Sequence, residues 1–558
     1  MTPEQRRAPR AIYDSLTREG ASLALRPIQA DILYQAQQLR GCFCNANVGT
    51  GKTLPALLVA TVIDEPSTVV FTESSLIDEF IRQAVIYDQS FAIALAPRLV
   101  SYGVLSSQRN RDILDALRPK AIVLDEAHCL SNPQAARTRR LLRYLKANPD
   151  TRLFLFSGTL TRSSIDDYAH LMAWALRQYC PVPTGYTERK SWSLCIDTRD
   201  GAEQATGRDW ARLQPLVDAF GCGTPLLTVD DVGERQEIVR DAYYERLHTT
   251  PGVILTDKQS TDAALRITRI RSLAIPEVVR DAMIRTETTW VLPEGEEVAS
   301  GLDLAQRLKE LALGFYYYWD WPGGQPDRDW LFARSEWHKQ VRLLVKLDRP
   351  NLDTLGLVTK AVERGINLRG AEPRTPAEQR DKRMVLRRPD LAYAYEQWRE
   401  QGEHKDTPPT KARWLSYYLI DDCFARVRLA SAPVLVWYSH DTVAETLANA
   451  GFPVVLAGQP VPELDACGVS RHSHFKGLNL QHYGHNIVLT PSSSGAVHEQ
   501  LIGRTHRDGQ TRDSVGVEIY THTDRLSEAL DKAIERARYA ERTTRSPMKL
   551  LSAEWSTC

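Results

Sequence analysis

Residues 42–63 read CFCNANVGTGKTLPALLVATVI: an apolar run, a turn carrying Gly49 and Gly51, and a second apolar run long enough for a helix. That succession of strand, glycine-containing turn and helix is what a phosphate-binding loop requires. Gly49 and Gly51 let backbone N–H groups come close to phosphate oxygens, with Val48 and Thr50 between and beside them. Lys52 reaches the outer phosphates, and the Thr53 hydroxyl is placed to ligate magnesium. The loop opens on Ala46, where such loops more often carry glycine. A mostly parallel sheet covered by helices on both faces is the architecture that presents such a loop.

The flanking sequence keeps to that architecture. Upstream, SLALRPIQADILYQA (22–36) places Arg26, Pro27 and Gln29 at the opening of a helix, with proline near its first turn. Downstream, TVVFT (68–72) is a β-branched strand ending at Glu73, Ser74 and Ser75, and the run Leu99–Tyr102 is another, with Ser101 near its end. AIVLDEAHCL (121–130) is a buried strand that stops on Asp125, Glu126 and His128. Carboxylates at the C-terminal end of a parallel strand stand where open α/β sheets bind ligands. LFLFSGT (153–159) is a further buried strand, ending on Ser157 and Thr159, and IDDYAHLMAWALRQY (165–179) is an amphipathic helix whose Met172 and Trp174 read as core.

From about residue 180 to 430 catalytic patterning lapses. Residues 181–223 are rich in turn formers, and 267–275 read as a strand closing the first sheet. Residues 302–313 have a helical pattern and lead into GFYYYWDWPGG (314–324). Its Tyr316, Tyr317, Tyr318, Trp319 and Trp321 read first as an aromatic core or lobe-packing surface, with base stacking as the alternative. RGAEPRTPAEQRDKRMVLRR (369–388) reads as a charged linker with a basic end, solvated charge being the default and a place beside nucleic acid the other reading. Residues 411–420 read as a helix, and apolar runs at 434–439, 454–456, 486–490 and 515–520 mark a second strand–helix alternation. Near its end VHEQLIGRTHRDGQ (497–510), if helical from Val497, puts Gln500, Arg504 and Arg507 on one face with Val497 and Leu501 behind. A solvated basic face is the ordinary explanation of clustered arginines.

The pattern Q-x-x-G-R-x-H-R-x-G-Q of residues 500–510 nevertheless resembles the last motif of superfamily-two helicases, in the form used by Swi/Snf-type DNA translocases. Together with Leu-Arg-Pro-x-Gln, the phosphate loop, Asp125-Glu126-Ala127-His128, Ser157-Gly158-Thr159 and FKGLNLQ (475–481), it places six motifs in family order. The likeness covers roughly residues 22–175 and 410–520 and is that of a minimal bacterial or phage form. It implies an α/β chain of two RecA-like parallel-sheet lobes, at 1–275 and 411–558, with a mainly helical insertion at 276–410. By the resemblance ATP lies between the lobes, with Arg26 and Gln29 at the adenine, Lys52 and Thr53 at the phosphates and Asp125 on magnesium. Glu126 positions and deprotonates the attacking water, and Arg504 and Arg507 complete the site from the second lobe. His128, Ser157, Thr159 and Gln500 are implied to couple hydrolysis to movement, and Ser74, Ser75, Ser101, Lys476 and Asn479 to touch the DNA backbone. Phe475 replaces a glycine of the usual FKGLNLQ-type pattern. The implied activity is an ATP-dependent motor on duplex or forked DNA in replication, repair or recombination, with a replication or recombination protein as a possible partner. A strand-separating helicase is the alternative, and a restriction-type motor subunit has no nuclease signature to support it. A non-enzymatic scaffold would be expected to have lost Lys52, Glu126 or an arginine finger.

Composition sets the bounds. A chain of 558 residues exceeds one core, and its 70 basic residues balance 70 acidic ones, so that any nucleic-acid surface is a local patch. Nine scattered cysteines show no zinc spacing and fit a reducing cytosol. The opening MTPEQRRAPR lacks the apolar core of a signal peptide, and the longest apolar run, 54–63, is far short of a membrane span. The expectation is a soluble cytoplasmic protein without a membrane partner.

Overall fold

The computed structural model describes residues 12, 14–47, 49–107, 109–158, 164–197, 207–256, 261–298, 300–345, 352, 354–403, 405, 407–474 and 478–558. Val48, Thr159, Phe475 and Lys476 lie outside them. The chain is α/β, built on two parallel sheets of six and seven strands.

The first sheet has the order β3-β2-β4-β5-β1-β6. Its strands are β1 (Gly41–Asn45), β2 (Thr68–Thr72), β3 (Arg98–Ser101), β4 (Ala121–Asp125), β5 (Arg152–Ser157) and β6 (Val253–Leu255). β1, β2 and β4 are buried at every position, as strands covered on both faces must be. One face is packed by the helices Pro27–Gln38 and Thr53–Val62, through Ile32, Leu33, Leu57 and Leu58. Helices Ala136–Ala147 and Asp166–Leu176 pack the other through Leu141, Tyr168 and Leu171. The registers Asn45↔Ser157, Asp125↔Phe156 and Thr72↔Ser101 bring the C-terminal strand ends to a common rim.

The second sheet has the order β11-β12-β10-β13-β14-β7-β15. It comprises β7 (Ala264–Ile270), β10 (Val434–Tyr438), β11 (Val454–Val455), β12 (Ala466–Ser470), β13 (His485–Val488), β14 (Ser514–Tyr520) and β15 (Glu554–Thr557). Here the expectation for 267–275 fails. The strand containing Ile267 does not close the first sheet; it pairs along its whole length with β14 and, on its other edge, with β15. The short β6 takes the first sheet's edge beside β1 instead. The second lobe therefore begins ahead of the insertion.

Between β7 and the rest of the second sheet, helices Glu277–Thr289 and Gly301–Ala312 lead to an antiparallel ribbon of β8 (Phe315–Trp319) and β9 (Thr410–Trp414). The expected helix at 411–420 is thus replaced by a strand, followed by a helix at Tyr418–Leu429. Pairing with β8 overrides the local pattern, since Trp414 lies opposite Phe315 with ring centroids 4.9 Å apart. From the ribbon hang helices Arg328–Val345, Leu355–Asn367, Pro376–Arg387 and Pro389–Trp398, with a core of their own around Trp337, Val358, Met384 and Tyr395. The stretch 369–388, read as a linker, is largely the third of these, started by a reciprocal cap between Thr375 and Glu378. Part of the turn-rich 181–223 is likewise helical, at Tyr186–Ile196. Among the described residues no helix is long and apolar enough to cross a membrane.

The lobes also meet away from the sheet rims. Tyr539, on the second lobe's long helix Asp524–Thr544, is 1% exposed within the first lobe's core, and its hydroxyl donates to Asp197 Oδ1 at 3.1 Å. Asp197 also accepts from Ile165 N (3.0 Å) and from the Ser193 hydroxyl. Around it Arg240 lies over the Tyr539 ring, Arg542 pairs with Glu237 at 2.6 Å and Arg545 with Asp241 at 3.3 Å.

Candidate active site

β1 delivers the chain into the loop of residues 46–52, in which Gly49 and Gly51 have φ of +95° and +75°, conformations that side chains with a Cβ rarely adopt. A Cβ on Gly51 would also stand 2.6 Å from Gln29 Nε2. That contact shows how the first helix serves the loop. Gln29 Nε2 donates to Gly51 O (2.9 Å), its Oε1 accepts from Arg26 N (2.9 Å), and the Arg26 guanidinium donates to Gly49 O (3.1 Å). Lys52, at the start of the next helix, donates through Nζ to Ala46 O (2.7 Å) and Asn47 O (3.0 Å). Burial pulls its pKa down, with Glu126 and Asp125 pulling the other way.

β4 ends on the carboxylates. Asp125 is 6% exposed, its Oδ2 accepts from Thr72 Oγ1 (3.0 Å), and Tyr102 OH donates to its backbone carbonyl (2.7 Å). Burial, then the neighbouring Glu126, raises the Asp125 pKa, and Thr72 and Lys52 offset this only in part. Glu126 suffers the same burial, but its hydrogen bond with His128 and the charges of Lys52 and Arg504 outweigh it and keep the group ionised. Its backbone is left-handed, φ +53° and ψ +51°, a conformation that costs a non-glycine residue roughly 1–3 kcal/mol and aims the side chain off the strand end. His128 Nδ1 lies 3.2 Å from Glu126 Oε2 and 3.1 Å from Ser157 Oγ, while Ser157 Oγ donates to Glu126 Oε2 at 3.3 Å. The strand ends of β4 and β5 are therefore joined through Glu126, His128 and Ser157.

The second lobe's contribution departs from the sequence reading in detail. The helix runs Gly495–Ile502 and stops, so Arg504 and Arg507 sit on the following turns and not on its face. Gly503 ends the helix, and the turns are secured behind. Asn486 Nδ2 donates to Thr505 Oγ1 (2.9 Å), Gln510 Nε2 to Thr505 O (2.9 Å), and the buried His506 contacts Ala263 O and Lys549. Arg504 is 3% exposed, its Nε bonded to Gln500 O (3.0 Å) and its Nη1 to Leu478 O (3.2 Å). Burial and then Arg507 lower its pKa to about 10. Arg507 shares the Leu478 carbonyl at 3.4 Å, and its Nε is buried without a hydrogen-bond partner.

Both halves face one cleft of about 150 Å³, walled by Gly49, Gly51, Lys52, Thr53, Asp125, Glu126, Arg504 and Arg507. Asn479, expected at the nucleic acid, also lines this cleft, on the loop tied down by Leu478 and by Leu480 N to Arg504 O (3.1 Å). Ser74 and Ser75 are exposed on the turn after β2 and Ser101 ends the adjacent β3, so these hydroxyls do share the rim. Sequence reasoning missed the wall given by helix Ile77–Asp88, where Glu79, Gln83 and Tyr87 recur at four-residue spacing; that period was the available signal. It also missed Thr72 and Tyr102, which hold Asp125. A larger cavity of about 980 Å³ lies near Arg40, Lys120 and Arg152, at the N-terminal ends of β1, β4 and β5, the end of a parallel sheet opposite to the usual ligand side.

Chemically the cleft offers backbone N–H groups and three cations, Lys52, Arg504 and Arg507, to an anion. Beside them the Thr53 hydroxyl and Asp125 carboxylate are oxygen donors of the kind a hard divalent cation takes. Among the described residues no group of three His, Cys, Asp or Glu side chains converges on a metal, so such a cation would complete its shell with phosphate oxygens and water. The chain matches no protein-family model and no curated protein.

Proposed function

We propose that this chain is an ATP-driven DNA motor of the Swi/Snf type, coupling hydrolysis between its lobes to movement along duplex DNA. The observation that carries the reading is the cleft into which one parallel-sheet lobe sends Lys52, Thr53, Asp125 and Glu126 and the other sends Arg504 and Arg507. Triphosphate oxygens replace the Ala46 and Asn47 carbonyls at Lys52 Nζ, and the two guanidinia take up charge on the transferring group. Magnesium, for which Thr53 and Asp125 fit, supplies further positive charge at the phosphates. Glu126, ionised and held by His128 and Ser157, orients the attacking water and accepts its proton. Release of the phosphates removes what binds the arginines to the first lobe, and the rim bearing Ser74, Ser75 and Ser101 shifts relative to the second lobe. Backbone contacts of this kind carry position without base identity, so DNA binding is sequence-tolerant and salt-sensitive.

The test is ATPase rate measured in parallel without nucleic acid and with single-stranded, duplex and forked DNA and RNA. The expected result is strongest stimulation by duplex, with displacement of a third strand from a triplex. Equal rates in all five conditions would remove DNA from the proposal. The strand-separating alternative needs a wedge, and Trp319 and Trp321 do not stand free as one. They pack 5.5 Å from each other and 5.7 and 5.6 Å from the buried Trp330, at the root of the insertion. Little unwinding of a tailed duplex is therefore expected.

A further inference from the structure

The insertion carries a basic groove that the cleft chemistry does not use. Along helix Pro376–Arg387 the side chains of Arg380, Arg383 and Arg387, with Arg388 just beyond, line a cavity of about 570 Å³ beside Gln379 and Leu344. Among the described residues no carboxylate lines it. Arg380 is satisfied by Asp381 at 2.9 Å, a buried acid that also faces Arg364 at 3.6 Å. Arg383 and Arg387 are exposed, and no ion pair joins them to any described residue. Arg388 Nη1 is buried with no acceptor among the described residues. Unpaired guanidinia concentrated in a concave site, one of them with a desolvated donor, are an unfavourable arrangement for a solvated face and a favourable one for multivalent oxyanions. Arg380 to Arg387 spans about 10 Å of helix, over which one strand of a duplex presents about three phosphates.

The groove also lies against the first lobe. Its wall residue Leu344 precedes Val345, whose carbonyl accepts from the buried Arg139 on helix Ala136–Ala147. The insertion is thus rooted on the second lobe's side through the β8–β9 ribbon and touches the first lobe at the groove's edge.

We propose that this groove is a second nucleic-acid site, gripping the phosphate backbone of duplex DNA through Arg383, Arg387 and Arg388. Naming DNA as the occupant rests on the motor reading, and the experiment separates the two. Binding of a fluorescent 30-base-pair duplex to the full chain is measured by anisotropy without nucleotide, across a salt series, for wild type, R383Q/R387Q and a control R40Q/R266Q whose arginines are exposed elsewhere. Through counterion release each lost phosphate contact is worth roughly tenfold at about 0.1 M salt and about 0.9 in the salt slope. The groove variant should therefore lose between about tenfold and 100-fold in affinity and flatten the slope by about two, with the control unchanged. R383K/R387K should recover most of the slope, because the charges remain. Equal affinity of the groove variant and the control overturns the proposal, as does a wild type that binds no duplex. Competition by inorganic phosphate at low millimolar concentration, with no loss of duplex affinity in the variant, also overturns it by showing a small-anion site. A groove-dependent duplex affinity combined with an ATPase indifferent to DNA leaves the groove standing and refutes the motor reading instead.

Discussion

Two contacts between the lobes are of opposite character. At the cleft, Arg26 of the first lobe pairs with Asp508 of the second, and both side chains are about half exposed, 46% and 56%. An exposed pair of this kind contributes roughly 0–1 kcal/mol. On the other side Tyr539 is sunk into the first lobe's core and bonded to a buried carboxylate, with Arg240 over its ring and Arg542 and Arg545 of its helix paired with Glu237 and Asp241. Removing a buried aromatic costs about 3–5 kcal/mol. One contact is cheap to break and the other is not, so the energetically easy motion is a pivot on the Tyr539 side that opens and shuts the cleft. The groups proposed to act on ATP divide the same way: Asp125 and Glu126 are fixed at strand ends, whereas Arg504 and Arg507 ride on turns that approach from across the opening.

The sharpest test removes the part that travels. Arg507→Ala should lower kcat by about 10³-fold or more, about 4 kcal/mol, while ATP binding weakens much less. Arg504→Ala should behave similarly with some loosening of the Leu478 loop; wild-type turnover in Arg507→Ala would return the arginines to a plain basic face. Next come the fixed groups. Lys52→Ala and Glu126→Gln should each cost at least about 10²-fold in turnover, Glu126→Gln trapping bound ATP in a filter-binding assay with circular dichroism unchanged. A smaller effect is expected at the pivot, where Tyr539→Phe deletes one hydrogen bond to a buried carboxylate. A loss of about 1.5 kcal/mol in denaturant unfolding should follow, with Lys52 and Glu126 chemistry intact. No change in stability would mean that Asp197 is satisfied without Tyr539. Asp508→Asn should be the mildest, shifting stability by less than about 1 kcal/mol. If Asp508→Asn destabilised more than Tyr539→Phe, the order of strong and weak contacts drawn above would be reversed.

The first lobe was legible because its chemistry sits within a residue or two of buried strand ends, so Lys52, Asp125, Glu126 and Ser157 follow from apolar runs that stop abruptly. The second lobe was harder for reasons of pairing. The strand read at 267–275 runs Ala264–Ile270, and nothing in ALRITRI says that its neighbours are β14 and β15 and not β1. Thr410–Trp414 becomes a strand only because β8 lies opposite. The arginines at 504 and 507 were found by motif spacing, yet the helix assumed to carry them stops at Ile502 with Gly503 as its cap, and Asn486 and Ala263 hold the following Thr505 and His506. The α/β class with two parallel sheets was read from strand–helix alternation together with the order of the motifs, and the insertion's separate core was not, since its helices become amphipathic units only against one another.

The placement of β7 sets an order of events during synthesis. Ile270 waits for Thr521, 251 positions later, and Thr268 for Ser556, 288 positions later, before either edge of that strand is covered. A nascent chain that has emerged past the first lobe therefore displays a naked, β-branched strand with donors and acceptors unpaired on both sides, the form most prone to pairing with another chain. Even the first lobe receives Tyr539 only near the end. On the ribosome this architecture favours either slow, late consolidation or protection by a holding chaperone, and it makes prematurely terminated products the aggregation-prone species.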